Sequence, residues 1–600
     1  MVLIWINAQE AARVLATGVA SYWLTCFMPV LNSDIARSLD KLADLLELEG
    51  ANPFRIRAYR NAARVVGELP RSVTAMTAAG EDLAELPGIG KDLADKIETL
   101  AATGHVAVLD EIERRTPPGL LALLDVPGLG PKRARLLNEQ LGISALGDLV
   151  AAAKAGKIRK LRGFGAKMEQ RILQEAEKRA TTAPRIKRPV AEDTVKPLLQ
   201  YLREAEGIRH PAVAGSYRRC RETVGDLDIV VAAARGAGII DRFVGYEDVA
   251  QILSRGPTRS SIVLRNGTWV DLRVVPEVRY GAALQYFTGS KAHNIALRHI
   301  AAARGLKLNE YGLFDGNRRV AGRTEDEVYR YLGLPYIEPE LREDHGEIEA
   351  ARSGRLPHLV TLADIRGDLH AHTKASDGRA SLAEMAQAAQ ERGYSYLAIT
   401  DHSKRVTIAH GLDAKRLAAQ IDEIARMNET LSGIVVLSSV EVDILEDGLL
   451  DLPNSILSRL DFAIGAVHSA FGLPRDKQTK RLLRAMDNPH LAVLAHPTGR
   501  LIGEREGCDI DIERVLSGAR ERGCAIEVNG QPDRLDINEW HSKLAKEIGV
   551  KLVLSTDAHN PGELAFMRYA VEQARRGWLE PSDILNTRSL DGLKATLRRP

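Results

Sequence analysis

The spacing of apolar positions changes twice along the chain, and each change marks a different kind of structure. From Asn32 the stretch "SDIARSLDKLADLLELEG" (33–50) has an N-cap-type start, apolar residues at helical spacing and a closing Gly50. It predicts an amphipathic helix, with more helices after it. Between about 190 and 340 short apolar runs such as "DIVVAAA" and "WVDLRVV" alternate with helical segments. The polar stretch "YIEPELREDHGEIEAARSGRLP" (336–357) reads as a linker. After about 365 the rhythm becomes apolar run, polar end, helix, which predicts a further domain of alternating strands and helices.

At 600 residues the chain is too long for a single core, and 45% hydrophobic with 27% charged residues describes an ordinary multidomain protein. Its 82 basic and 80 acidic residues nearly cancel, to +2, so affinity for nucleic acid has to come from local patches. Cys26, Cys220, Cys508 and Cys524 follow no metal-knuckle or disulfide spacing, and the expected compartment is the cytoplasm. The uncharged run "VLATGVASYWLTCFMPVL" (14–31) is about as long as a minimal span of ~18 residues. Only Arg13 provides a basic flank and no clear cleavage site follows, so residues 1–31 read as an extension or a mis-assigned start, with no membrane partner expected.

Three segments repeat one idea: "LPGIGKDLADKI" (86–97), "VPGLGPKRARLL" (126–137) and "LRGFGAKMEQRI" (161–172), each a Gly-x-Gly turn opening a helix. One such turn is weak evidence, because Gly-x-Gly also caps helices for structural reasons. Three in succession resemble helix-hairpin-helix modules, in which backbone N–H groups at a helix start bind a phosphate without reading a base. On that resemblance Gly88, Gly90, Gly128, Gly130, Gly163 and Gly165 are DNA-binding positions. The basic stretches "KAGKIRKLRGFGAK" (154–167) and "RIKRP" (185–189) extend the track.

In "GSYRRCRETVGDLDIVV" (215–231), Asp226 and Asp228 are two apart on an expected strand, so both carboxylates leave one face. Asp271 in "TWVDLRVV" lies on another expected strand and completes an all-oxygen cage suited to Mg2+ or Mn2+. With Gly215-Ser216 at this distance the segment resembles the nucleotidyltransferase superfamily. Together with "YFTGSKAHNIALR" (286–298) and "LNEYGLF" (308–314) it is similar to the palm and thumb of family X DNA polymerases, the group of DNA polymerase beta. The resemblance implies that Asp226, Asp228 and Asp271 are the catalytic metal ligands. It further implies that Ser216, Arg219 and Gly225 hold a triphosphate, that Tyr286, Phe287 and Gly289 line the sugar, and that Asn294 and Arg298 reach base and template. It covers the amino-terminal helices too, where Lys96 takes the place of a Schiff-base lysine. Asp92 and Asp95 beside it favour the charged amine, so a phosphate contact to DNA is the expected role.

The carboxy-terminal third is rich in imidazoles. His370 and His372 alternate with Ala371 in "GDLHAHTKASDG" (367–378), and Asp377 follows. Later apolar runs end in His402, Glu441, His468 and His496, then in Asp557 and His559; "CAIEVNG" (524–530) completes seven expected strands. A lone histidine after an apolar run is more often structural than a ligand, but six in equivalent places are not. Nine donors suffice for three divalent ions, and mixed nitrogen and oxygen ligands suit Mn2+ or Zn2+. The motifs "DLHAHT", "SDG", "TDH", "AHP" and "TDAH" resemble the polymerase-and-histidinol-phosphatase (PHP) domain, with Asp401 and Asn529 as orienting groups.

The expected fold is therefore multidomain α/β. An N-terminal extension (1–31) precedes a lyase-like helical domain (32–112), fingers with hairpin motifs (113–189), a nucleotidyltransferase-type α+β palm (190–278) and a thumb (279–340). A linker (341–364) then leads to a distorted seven-stranded (β/α) barrel (365–600). The resemblance implies a DNA polymerase filling short gaps, with gapped or primer-template DNA and dNTPs as partners, a metal-dependent 3'-5' exonuclease, and a monomer. A DNA-end-binding repair factor whose phosphoesterase is the main activity is the alternative.

Overall fold

A computed structural model describes residues 32–597, leaving out 70–72, 79–80, 104–105, 107, 110, 113–115, 117–119, 121–122, 125, 127–128, 162 and 181–184. The expectations for residues 1–31 and for Gly128 lie outside the described residues. No described helix is long and apolar enough to cross a membrane. The chain divides into two compact units, 1–180 and 181–600.

The first unit is helical. Asn32–Leu48 and Pro53–Glu68 pair through Leu39, Leu42, Leu46, Tyr59 and Val66, all buried, which is the apolar stripe the spacing predicts. Lys91–Thr103, Pro131–Leu141 and Ala166–Ala180 each begin directly after a Gly-x-Gly turn. Gly88 and Gly163 take φ of +77° and +90°, which a side chain would strain. A Cβ on Gly90, Gly130 or Gly165 would meet nothing within 4 Å, so the space in front of these turns is open.

The second unit opens with β1 (Ile186–Lys187), antiparallel to β3 (Thr223–Val224), and the helix Arg188–Arg203. The palm sheet runs β2 (Arg209–Val213), β4 (Asp226–Ala232), β7 (Trp269–Val275), β6 (Arg259–Leu264) and β5 (Val249–Arg255) in spatial order, with only β4 and β7 parallel. Helices Tyr280–Thr288 and Lys291–Ala303 and the antiparallel β8 (Leu306–Asn309), β9 (Gly312–Asp315) and β10 (Arg318–Ala321) follow. The 341–364 stretch, expected to be a linker, is packed. It carries the helix Glu347–Arg352 and buries Arg342, Glu347, Ile348 and Val360. Its charges are paired inside, Arg342 with Glu325 at 2.6 Å and Glu347 with His293 at 2.6 Å, so a polar composition does not here mean a solvated segment.

The carboxy-terminal strands are β11 (Gly367–Ala371), β12 (Tyr396–Ile399), β13 (Val435–Ser438), β14 (Glu441–Asp443), β15 (Ala463–Ala466), β16 (Leu491–Leu494), β17 (Ala525–Asn529) and β18 (Leu552–Ser555), all parallel. β13 pairs with β12 and β14 with β15, so the two are halves of one strand broken at Ser439–Val440. A parallel bridge from Ala371 to Ala558 returns the last strand to the first. Apolar runs such as "YLAI" and "LAVL" are buried along their whole length, as parallel strands covered on both sides require.

Candidate metal centres and nucleotide loop

In the palm, Asp226 and Asp228 alternate on β4 and face β7, where Trp269 stands beside Asp226 and Asp271 beside Asp228. Gly215 has φ +61°, and a Cβ there would sit 2.6 Å from Asp228 Oδ2, so only glycine lets the 215–224 loop come this close to the carboxylates. Ser261 Oγ donates to Asp271. Burial, and then repulsion from Asp226 and Asp271, lifts Asp228 from the ordinary carboxylate range to about 7. Arg273, Arg219 and Arg185 offset this only in part, and three carboxylates so placed are what divalent cations would neutralise. We therefore expect metal binding at the palm to release a proton below pH 7. Apparent Mn2+ affinity should rise roughly tenfold per pH unit up to 7 and then level off, as titrations at fixed ionic strength would measure.

Around these acids the structure brings together most of the residues expected to grip a nucleotide. Ser216 starts the short helix Gly215–Arg218 and Gly225 precedes β4. Arg219 donates Nη1 to Thr288 O at 2.5 Å and Nε to Glu343 at 3.0 Å. Gly289 has φ +70° at the close of the Tyr280–Thr288 helix. Tyr286 and Phe287 meet edge to face at 5.3 Å, with the Arg273 guanidinium 4.9 Å from the Phe287 ring. Arg298 is exposed. Asn294 is bonded inside the protein. It is 8% exposed, its Nδ2 donates to Tyr286 O at 2.7 Å, and its Oδ1 accepts from Gln285 at 2.7 Å. Its side-chain amide ties the Tyr280–Thr288 helix to the Lys291–Ala303 helix. Trp269, 39% exposed beside Asp226, was not singled out in the sequence; its signal was an aromatic residue two before Asp271.

In the helical unit Lys96 Nζ donates to the Asp92 carboxylate and, at 3.1 Å, to the Asp92 carbonyl. This hold is what the expected role, a phosphate contact and not a nucleophile, requires. Borohydride trapping on an abasic 5'-flap should therefore give no adduct above that of Lys96→Ala.

The second centre gathers all nine expected donors into four overlapping groups: His372, Asp377, His402 and His559; His370, His372 and Asp557; His370, Glu441 and His496; His402, Glu441 and His468. Within each group one donor atom per residue lies within 4.8 Å of the others. Glu441 belongs to two groups because the Ser439–Val440 break re-aims its strand, Glu441 N donating to Thr400 O at 3.1 Å. His370 and His372 direct their Nε2 atoms at each other, 3.1 Å apart. Burial, and then the neighbouring His559 and His402, lower His372 to about 4, so this ring is neutral with a lone pair to give. Among the described residues Nδ1 of His372 and of His496 finds no hydrogen-bond partner although both rings are buried. Buried imidazole nitrogens without a partner are what divalent cations would satisfy, and the donor set fits them.

The supporting groups were only partly legible. Asp401 accepts from Thr373 N at 2.8 Å and Oγ1 at 2.6 Å and also from Ser376, which shapes the turn leading to Asp377. Asn529 donates to Asp557 at 3.2 Å. Glu527, which takes His370 Nδ1 at 2.7 Å, and Asp443, which takes His468 Nδ1 at 3.2 Å, were missed. Each fixes the ring so that Nε2 faces the centre. Their one signal was a buried acid inside an apolar strand.

A palm sheet bearing three carboxylates and a histidine-rich cluster able to hold metal ions are, on one chain, the features of a metal-dependent phosphoryl-transfer enzyme acting on nucleic acid. Family models match in the same order: helix-hairpin-helix domain over 30–106, SAM-like helix-hairpin-helix tandem over 120–178, DNA polymerase beta thumb over 283–343 and PHP domain over 368–529. The chain is 38% identical to the DNA polymerase/3'-5' exonuclease PolX of Bacillus subtilis (strain 168), over 94% of its own length and 99% of that protein. A probable phosphatase of Thermoanaerobacter sp. (strain X514) is 31% identical over 37% of this chain and 89% of its own. DNA polymerase lambda of Arabidopsis thaliana is 28% identical over 52% of this chain and 62% of its own. The chain belongs to the PolX family of DNA polymerases with a 3'-5' exonuclease.

Proposed function

We propose that the two activities of this DNA polymerase/3'-5' exonuclease reside in separate centres, extension at Asp226, Asp228 and Asp271 and 3'-end degradation at the nine-donor cluster. The substrate is gapped or primer-template DNA with dNTPs, and the task is filling short gaps. Helix starts at the Gly-x-Gly turns supply sequence-independent phosphate contacts, which suits an enzyme that must accept any gap. At the palm Arg219, Ser216 and the Gly225 backbone hold the triphosphate, while Tyr286 and Phe287 press on the sugar edge. Phosphoryl transfer asks the protein mainly for position and counter-charge. Divalent ions at the palm, Mg2+ or Mn2+, supply that charge, and three Mn2+ or Zn2+ ions at the second centre supply a Lewis acid.

At the second centre Glu527 and Asp443 keep the imidazoles aimed, and Asp401 holds the turn of Asp377. Abasic sites present the same phosphodiester and 3'-phosphate ends a phosphomonoester, and both are secondary substrates. The observation that carries this reading is two acid-bearing sites of opposite composition on separate sheets of one chain: three carboxylates on β4 and β7 whose mutual repulsion raises Asp228, and a nine-donor cluster that is six-ninths imidazole. A DNA-end-binding factor without synthesis would not need the first. The test is a gapped, labelled primer incubated with Mn2+, with and without dNTPs, and read on a sequencing gel. Extension with dNTPs and shortening without them are expected; a primer that only shortens overturns the reading.

A further inference from the structure

The loop expected to grip the triphosphate is fastened to the carboxy-terminal domain. The helix Met567–Arg576 packs over the sheet of that domain and sends four side chains toward the palm and thumb. Arg568 donates to Glu192 at 2.6 Å, Glu572 accepts from Arg188 at 2.5 and 2.9 Å, and Arg575 donates to Glu340 at 2.6 Å. Arg576 reaches furthest. Its side chain is 2% exposed, Nη1 donates to the Arg219 carbonyl at 2.7 Å and to Glu343 Oε1 at 3.1 Å, and Nη2 donates to Glu539 at 2.8 Å.

The same Glu343 oxygen accepts Nε of Arg219 at 3.0 Å. Arg576 therefore holds Arg219 at both ends, at its backbone directly and at its guanidinium through Glu343. With Nη1 also committed to Thr288 O, the Arg219 fork has one orientation, and its other donors are set for an anion. Burial alone would raise Glu343, but Arg219, Arg576 and Arg221 outweigh it and hold the carboxyl at about 2. Glu343 is thus a charged hub for three guanidiniums, one of them delivered by the carboxy-terminal domain.

We propose that Arg576 is a positioning residue for the triphosphate grip, acting through Glu343 and the Arg219 carbonyl, so that the exonuclease domain forms the backing of the polymerase nucleotide site. This rests on the reading of Arg219 as a triphosphate contact. A lysine cannot replace Arg576, because one ammonium on a flexible stem does not span Glu539, Glu343 and a carbonyl in a fixed plane. A misplacement of about 1 Å at a substrate-holding group costs up to ~10²-fold.

The experiment is a dNTP titration of single-nucleotide gap filling by the full-length chain. Arg576→Met should raise KM for dNTP roughly tenfold, with kcat at saturating dNTP and the rate of 3'-end degradation both within about twofold of the unsubstituted protein. Should the single variant not fold, Arg576→Met combined with Glu539→Gln removes one buried carboxylate together with its partner and should show the same rise. An unchanged KM, or loss of synthesis and degradation together in the variant that folds, overturns the proposal. Arg219→Ala, run alongside, separates the two readings. If it leaves KM unchanged, the assignment of Arg219 is wrong; if it raises KM while the Arg576 variants do not, only the positioning role is.

Discussion

Asp226→Ala lowers dNTP incorporation by at least ~10³-fold, about 4 kcal/mol of transition-state stabilisation, and leaves 3'-end degradation within about twofold. The size follows from what the position holds. Asp226 lies two residues from Asp228 on β4 and both flank Asp271, so losing one carboxylate removes a ligand from a cage that has no nitrogen or sulfur donor to replace it. Burial and the proximity of Asp271 already raise Asp226 above the usual carboxylate range, which is the strain a cation relieves. Alanine removes that strain, so the folded protein should be no less stable. Thermal unfolding of the metal-free variant, unchanged or shifted upward while extension is lost, separates a lost ligand from a lost fold. A variant still extending primers at a tenth of the normal rate would place the chemistry elsewhere.

His370→Ala gives the mirror result. Degradation of a labelled 3' end falls by ~10³-fold or more, metal content measured after dialysis against Mn2+ drops, and gap filling is retained. His370 belongs to two of the four donor groups, so its loss opens both. It also takes the imidazole partner from the buried Glu527, which keeps His496 N, Asn529 Nδ2 and Ser555 Oγ as donors, so the cost is that of one charge-assisted hydrogen bond, about 1–3 kcal/mol of stability. Asp377→Asn is the cleaner companion because Asp377 is one-third exposed and its carboxylate faces His402 and His559 at 3.4 Å. It should lower degradation by a similar order with little effect on unfolding temperature. If both activities fell together in Asp226→Ala and in His370→Ala, the assignment to two centres would fail.

Much of this was legible because both centres are built on strand alternation. Asp226 and Asp228 share a face by the period of two, and the residues after each apolar run converge because parallel strands end at one rim. The helical turns were legible from glycine alone. Other features were not. Glu441 reads as the polar end of a strand, yet the strand is broken just before it and Glu441 serves two donor groups. The 341–364 stretch reads as a linker because its charges are counted as solvated, whereas Arg342 and Glu347 are buried against Glu325 and His293. The hydrogen bonds of Asn294 to Gln285 and Tyr286 have no signal in the sequence.

By itself the sequence determined which chemistries are present and in what order, since ligand type and local periodicity are properties of short segments. Tertiary structure alone decided which buried acids orient which rings, and that a carboxy-terminal arginine stands behind Arg219. Arg576 and Arg219 are hundreds of residues apart, and no local pattern encodes a hydrogen bond closed only when two domains pack.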